Sequence, residues 1–207
     1  SNATYTIIKQ LSEKNIKFLV IEPAKGEYKD VFGYRDDVTV YSTNPEFSHL
    51  LQLNPFSFSS KIHIYEHIDR LIEILNSCWT MEAAMPAFLK EAVIQLYENK
   101  GWDLETSKNL IQENCFPTFK DLALLLPVLI EQSTFSQEVK ANYTGALVTR
   151  VKSMTNGLLK LIFTEKEIRE ERLFNENVIV DLSRVASAET KSLMMGILFM
   201  KLQEYRT

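Results

Sequence analysis

The stretch Ile16–Tyr28, IKFLVIEPAKGEY, sets the reading of the whole chain, because a run of apolar and β-branched residues stops abruptly in a turn crowded with charge. Phe18–Glu22 carries the signature of a strand in a sheet covered on both faces, and Pro23, with no amide hydrogen to donate, ends its ladder. Gly26 then permits a tight reversal that brings Glu22, Lys25 and Glu27 near the strand's carboxyl end, where open α/β sheets hold their ligands. A Pro-x-x-Gly sequence is also ordinary turn chemistry, so a solvated β-turn is the competing reading of the same residues.

Outward from this stretch, Tyr5, Ile8 and Leu11 recur at helical spacing, and Thr4–Asn15 is expected to be a helix leading into the strand. The segment KDVFGYRDD reads as a loop hinged at Gly33, Val38–Tyr41 as a second strand, and His49–Leu53 as a third, closed by Asn54-Pro55. From Ile62 the period changes to a helical one, through Ile64, Ile68, Leu71, Ile72 and Leu75. Further helices are expected over Met81–Leu96, from the Thr118/Asp121 capping box through Leu129 with a kink near Pro127, and from Ser136 to a break at Gly157. WDLETSKNLIQEN is expected to hold a short helix at most. The pattern then reverts: Asn177–Leu182, NVIVDL, reads as a second buried strand sharing a sheet with Phe18, and Ser187–Tyr205 as an apolar helix covered on most sides. The expected class is α/β, with a sheet part over residues 4–61, a helical insertion over 62–172, and a strand and helix over 173–207 returning to the sheet.

The 207 residues, 45% of them hydrophobic, suffice for a real core, and the net charge of −4 supplies no general attraction for nucleic acid. Ser1-Asn2-Ala3 resembles the remnant of a cleaved expression tag. No apolar run approaches the roughly 20 residues of a membrane span, so the chain reads as soluble and cytoplasmic. Cys78 and Cys115 stand apart in no metal or redox pattern and read as reduced thiols. The Met194, Met195, Met200 group has core spacing, and EKEIREER over 165–172 alternates in sign like a solvated helix face.

VIEPAKGEY, the following strand, NPF, the EHID helix start, the helical insert and VIVDLSRVASAETKSLMMGIL together resemble the HerA-like branch of P-loop ATPases, related to FtsK-type DNA translocases. The resemblance implies a partial RecA-like sheet with an all-helical insertion, in a ring ATPase that moves or processes DNA as a translocase or helicase. It implies Glu22, Lys25 and Glu27 as residues facing the nucleotide site, ATP and Mg²⁺ as cofactors of the whole protein, and self-association, DNA and a nuclease or other processing factor as partners. A phosphate cradle needs G-x-x-x-x-G-K-[ST], whose small residues let backbone amides wrap the phosphates, and none of the six glycines begins one. The resemblance places that loop before Thr4 and the acidic metal-positioning strand after Thr207. The segment is then an internal fragment, inactive alone, binding no cofactor tightly, with unpaired sheet edges prone to self-association. Asp181 closes its strand without a second acid, and stands either as a supporting residue of the site or as a cap on the next turn. Arg150, on the stripe with Tyr143, Leu147 and Met154, is either a structural ion-pair residue or the arginine that ring ATPases insert into a neighbour's site, and Arg184 is a weaker candidate for that role.

His63-Ile-Tyr-Glu66-His67 matches the inverted zinc-protease signature H-x-x-E-H, but a third ligand is not apparent and the same residues open a helix in the ATPase resemblance. The competing class is a non-enzymatic interaction module, whose helical insert binds a partner protein while the sheet serves as its base.

Overall fold

The computed structural model describes residues 2–82 and 84–207, so Ser1 of the expected tag remnant lies outside them. In chain order the elements are α1 (Asn2–Glu13), β1 (Leu19–Glu22), α2 (Glu27–Phe32), β2 (Val38–Ser42), β3 (His49–Leu50), α3 (Ile64–Trp79), α4 (Met85–Asn99), β4 (Trp102–Asp103) and β5 (Lys108–Asn109). There follow α5 (Phe119–Gln132), α6 (Gln137–Tyr143), a π-helical turn (Thr144–Val148), α7 (Thr149–Ser153), α8 (Leu159–Ile162), α9 (Glu170–Phe174), β6 (Asn177–Asp181) and α10 (Ala188–Arg206). Two compact units result: residues up to Leu51 with Ile168–Lys191, and Gln52–Glu167 with Ser192–Thr207. Among the described residues no helix is long and apolar enough to cross a membrane.

The first unit is built on a four-stranded sheet in the order β1-β6-β2-β3, parallel throughout, so the α/β expectation holds. Val20, Ile179 and Val40 stand in one register row across three strands. They meet Ile8, Phe18, Phe32 and Val38 in an apolar cluster, with Tyr5 set edge-on to Tyr28 and Phe32. Full burial of Ile179 contributes about 1.5–3 kcal/mol.

Three expectations for this unit need correction. All five residues of β6 are buried, but Leu19, Val20 and Ile21 of β1 are only half-buried. The stretch that begins the reading is therefore an edge strand, and the doubly covered position belongs to NVIVD. An apolar run looks alike in either place, because its neighbours are chosen by pairing with a strand far along the sequence rather than by its own composition. The first part of the expected loop KDVFGYRDD is instead in α2, stapled by Tyr28 and Phe32 and ended at Gly33, where an added Cβ would clash with Lys29 O. The third strand is also shorter than expected, at two residues.

The second unit is helical. His63 caps α3 through Nδ1, which accepts the Tyr65 amide at 3.3 Å. The Thr118/Asp121 capping box forms in full at the start of α5, and Pro127 lies inside that helix. Gly196 lets α10 approach α3 closely, since a Cβ there would sit 2.8 Å from Ile74 Cγ2. The segment 102–109, expected to hold a short helix, is instead a two-stranded antiparallel hairpin, β4 with β5. Its turn is fixed by Asp103 Oδ1, which accepts the amides of Glu105 and Thr106, a local bond that competes with helix formation.

The segment Asn54–Phe58, NPFSF, is buried in this unit and nailed down by polar side chains. Lys201, 1% exposed, places Nζ 2.8 Å from Glu167 Oε2, 2.6 Å from Ser57 Oγ and 3.2 Å from Ser57 O. Ser57 also hydrogen-bonds Glu167 Oε1, and Tyr97 donates its hydroxyl proton to Phe56 O. His67, fully buried, has Nδ1 3.0 Å from Glu204 Oε1 and Nε2 3.1 Å from Pro55 O. Both ring nitrogens thus face oxygen atoms, of Glu204 on one side and Pro55 on the other. By sequence Glu167 reads as part of a solvated helix face, but α9 begins only at Glu170, and Glu167 pairs with the buried lysine.

Candidate functional site

In the first unit the register rows end on Glu22, Asp181 and Ser42, side by side at the carboxyl ends of three parallel strands. By the period of two, all three share the face that carries Val20, Ile179 and Val40. The turn after β1 folds over them. Gly26 adopts φ +70° before α2, and a Cβ there would meet Lys29 Nζ at 2.7 Å and Ser183 Oγ at 2.9 Å. Only glycine combines that left-handed backbone with so close an approach.

Glu22, 5% exposed, uses both carboxylate oxygens to accept the amides of Glu27 and Tyr28 at 3.0 Å each. It thereby caps α2, whose preceding residue, Gly26, has no side chain to do so, and a carboxylate is well matched to a helix start. Lys29, in the first turn of α2, reaches back to Asp181 at 2.5 Å, and the second Asp181 oxygen accepts the Ser183 amide at 2.9 Å. Burial pushes the Asp181 pKa up, but the hydrogen bonds from Lys29 and Ser183 and the nearby ammonium charge outweigh it, holding the carboxyl below its usual range. Because the folded value lies below the unfolded one of about 3.9, this pair stabilises the fold above that pH and is lost as pH falls through the folded value. Urea titrations between neutral and acid pH should show that Asp181→Asn flattens part of the acid limb; an unchanged limb would remove Asp181 as its source.

Lys25 and Glu27 form the outer rim. Their side chains are 74% and 48% exposed, they pair at 3.6 Å, and Tyr5 donates to Glu27 at 3.1 Å. Such an exposed pair contributes little to stability and leaves both charges accessible. A groove of about 550 Å³ runs along β1 beside them, lined by Ile8, Leu11, Val20 and Glu22 among others. In the loops after β6 and β2, the Arg184 guanidinium lies 3.8 Å over the Phe47 ring. Arg150 stands in the second unit, half-buried, with Nη1 donating to Ala146 O at 3.3 Å.

The arrangement thus brings Glu22 and Asp181 together, keeps Lys25 and Glu27 at the rim, and adds Lys29 and Ser183, which the sequence reading missed. Lys29 follows Gly26 by three residues, and the signal for it was the helix start hidden in GEYKDVF. The zinc-like signature does not assemble: His63 is a cap and His67 is bound to Glu204 and Pro55. Among the described residues no group of three His, Cys, Asp or Glu side chains could hold a metal ion.

As found, the strand-end residues do not fit Mg²⁺. Both Asp181 oxygens are engaged, one by an ammonium that would repel a dication, and Glu22 is spent on amides. The sequence also supplies no phosphate cradle. What the cluster can do is hold an ionised carboxylate and a lysine poised beside a glycine turn.

A family model described as "Helicase HerA, central domain" matches residues 1–201. Among solved structures, VirB4 of Thermoanaerobacter pseudethanolicus is similar with a TM-score of 0.65 and 16% identity, over all of this chain and 74% of that one, a likeness of fold. No curated protein sequence matches the chain.

Proposed function

The chain belongs to the helicase HerA central-domain family, of the ring-ATPase kind, and from that premise we propose that it forms one wall of the nucleotide site in an ATPase that translocates or unwinds DNA. The observation that carries this reading is the strand-end row Glu22, Asp181 and Ser42, with Lys29 and Gly26 closing over it at the sheet edge where α/β folds bind ligands. Glu22 serves by fixing the turn, Lys25 and Glu27 by presenting charge at the rim, and Asp181 by holding Lys29. Arg150 is the candidate for an arginine acting on a neighbouring subunit. ATP and Mg²⁺ belong to the whole protein, which works in the cytoplasm as a ring.

The division of labour is tested by comparing the 207-residue chain with the whole protein that contains it. The chain alone is expected to show no ATP turnover and no micromolar ATP binding, since positioning and charge stabilisation both require the phosphate cradle. In the whole protein, Lys29→Ala is expected to lower ATP turnover about tenfold by disturbing the site wall. Micromolar ATP affinity in the chain alone would overturn the proposal. A whole protein without ATPase activity would favour the interaction module.

A further inference from the structure

We propose that the cleft beside the β4–β5 hairpin, in the second unit, binds single-stranded nucleic acid. It is a cavity of about 840 Å³, within the size range of small-ligand sites. Trp102 and Phe116 form its wall, nearly parallel at 27° with ring centroids 5.1 Å apart, and each is half-exposed. Phe58 closes the back, 5.1 Å from Trp102 and 5.3 Å from Phe116. Lys61 and Lys108 are exposed in its lining, and among the described residues neither lies within ion-pairing reach of a carboxylate. Against these two ammoniums the lining holds one carboxylate, Glu113, so the cleft is locally cationic in a chain of net charge −4.

Several polar atoms of the lining are already used. Trp102 Nε1 donates to Cys115 O at 2.7 Å, and Ser107 Oγ accepts the Ile64 amide at 2.8 Å. Asn109 Nδ2 donates to Lys100 O at 2.9 Å, and its Oδ1 accepts the amides of Ile111 and Gln112. What remains on offer is aromatic surface, the two exposed ammoniums, and the short side chains of Ser60, Thr106 and Asn114. That combination suits a polyanion with exposed flat bases and little sequence preference. A duplex hides the base faces, so the single strand is the matching form. The proposal rests on the functional reading only in expecting the protein to meet nucleic acid, and it does not involve the strand-end cluster.

The test is fluorescence anisotropy of a short labelled single strand of mixed sequence, against the same sequence as duplex, with the 207-residue chain at low salt. The single strand is expected to bind more tightly, with a log–log salt slope of about −1.4 for two phosphate contacts. The double charge reversal Lys61→Glu with Lys108→Glu, at exposed positions, should weaken binding about tenfold or more. Phe116→Leu, which keeps an apolar side chain there, should weaken it about five- to tenfold. No binding, equal binding of duplex, or indifference to the charge reversal in a variant with an unchanged circular dichroism spectrum would overturn the proposal. ATP turnover of the whole protein separates the two readings: Lys29→Ala should reduce it without touching strand binding by the chain.

Discussion

Lys201→Ala is expected to lower the unfolding free energy by about 3–5 kcal/mol, the cost of breaking a buried pair by removing one partner. In a chain of this size that corresponds to a fall in Tm of roughly 10 °C. The ammonium is 1% exposed and bonds three oxygens, from Glu167 and Ser57. Its removal leaves the Glu167 carboxylate without its counter-charge, while that carboxylate still accepts the Asn54 amide and the Ser57 hydroxyl. The side chain also fills volume against NPFSF, so a cavity adds to the electrostatic loss. The paired change Lys201→Met with Glu167→Gln removes both charges and keeps much of the volume, and should cost clearly less than Lys201→Ala alone. Urea unfolding measures both. A cost below about 1 kcal/mol for Lys201→Ala would mean that the network is not a buried pair in solution.

Glu204→Ala is expected to have a similar effect, again about 3–5 kcal/mol. Glu204 is fully buried, holds His67 Nδ1 at 3.0 and 3.1 Å, and receives Arg70 at 3.4 Å. Without it, Nδ1 of a buried ring loses its partner. Glu204→Gln keeps the shape and one acceptor oxygen and should recover part of the loss, which distinguishes hydrogen bonding from packing. His67 also stacks on Phe58 at 4.9 Å, so Glu204→Ala should loosen the back of the aromatic cleft. Thermal unfolding gives the stability change, and equal effects of Ala and Gln would show that the carboxylate's charge, rather than its hydrogen bonding, is what the site requires.

The candidate site was partly legible in the sequence. Glu22 and Asp181 stand where apolar runs end, and an acid at a strand end is a local feature. Lys29 was not legible, because it becomes a site residue only when α2 turns it back toward a partner 152 residues away. Sequence position favoured Lys25, next to the glycine, but its side chain points outward to Glu27. Glu22 is expected to face the nucleotide site, and its carboxylate also caps α2, a role set by where the following amides fall.

By itself, the sequence determined the elements whose signals are local: the helical stripes of α3 and α4, the Thr118/Asp121 capping box, and the strand runs LVIE and NVIVD. Each depends on period, propensity or a side chain within four residues, which the chain carries wherever it lies. Only the tertiary structure decided that NVIVD is central and LVIE an edge, that 102–109 is a hairpin, and that Glu167 and Lys201 are joined in the interior. Those outcomes depend on which distant surfaces exclude water together, and the gain from burial and long-range pairing outweighs local preference wherever the two disagree. The strand-end cluster in the first unit and the aromatic cleft in the second both arise at that level.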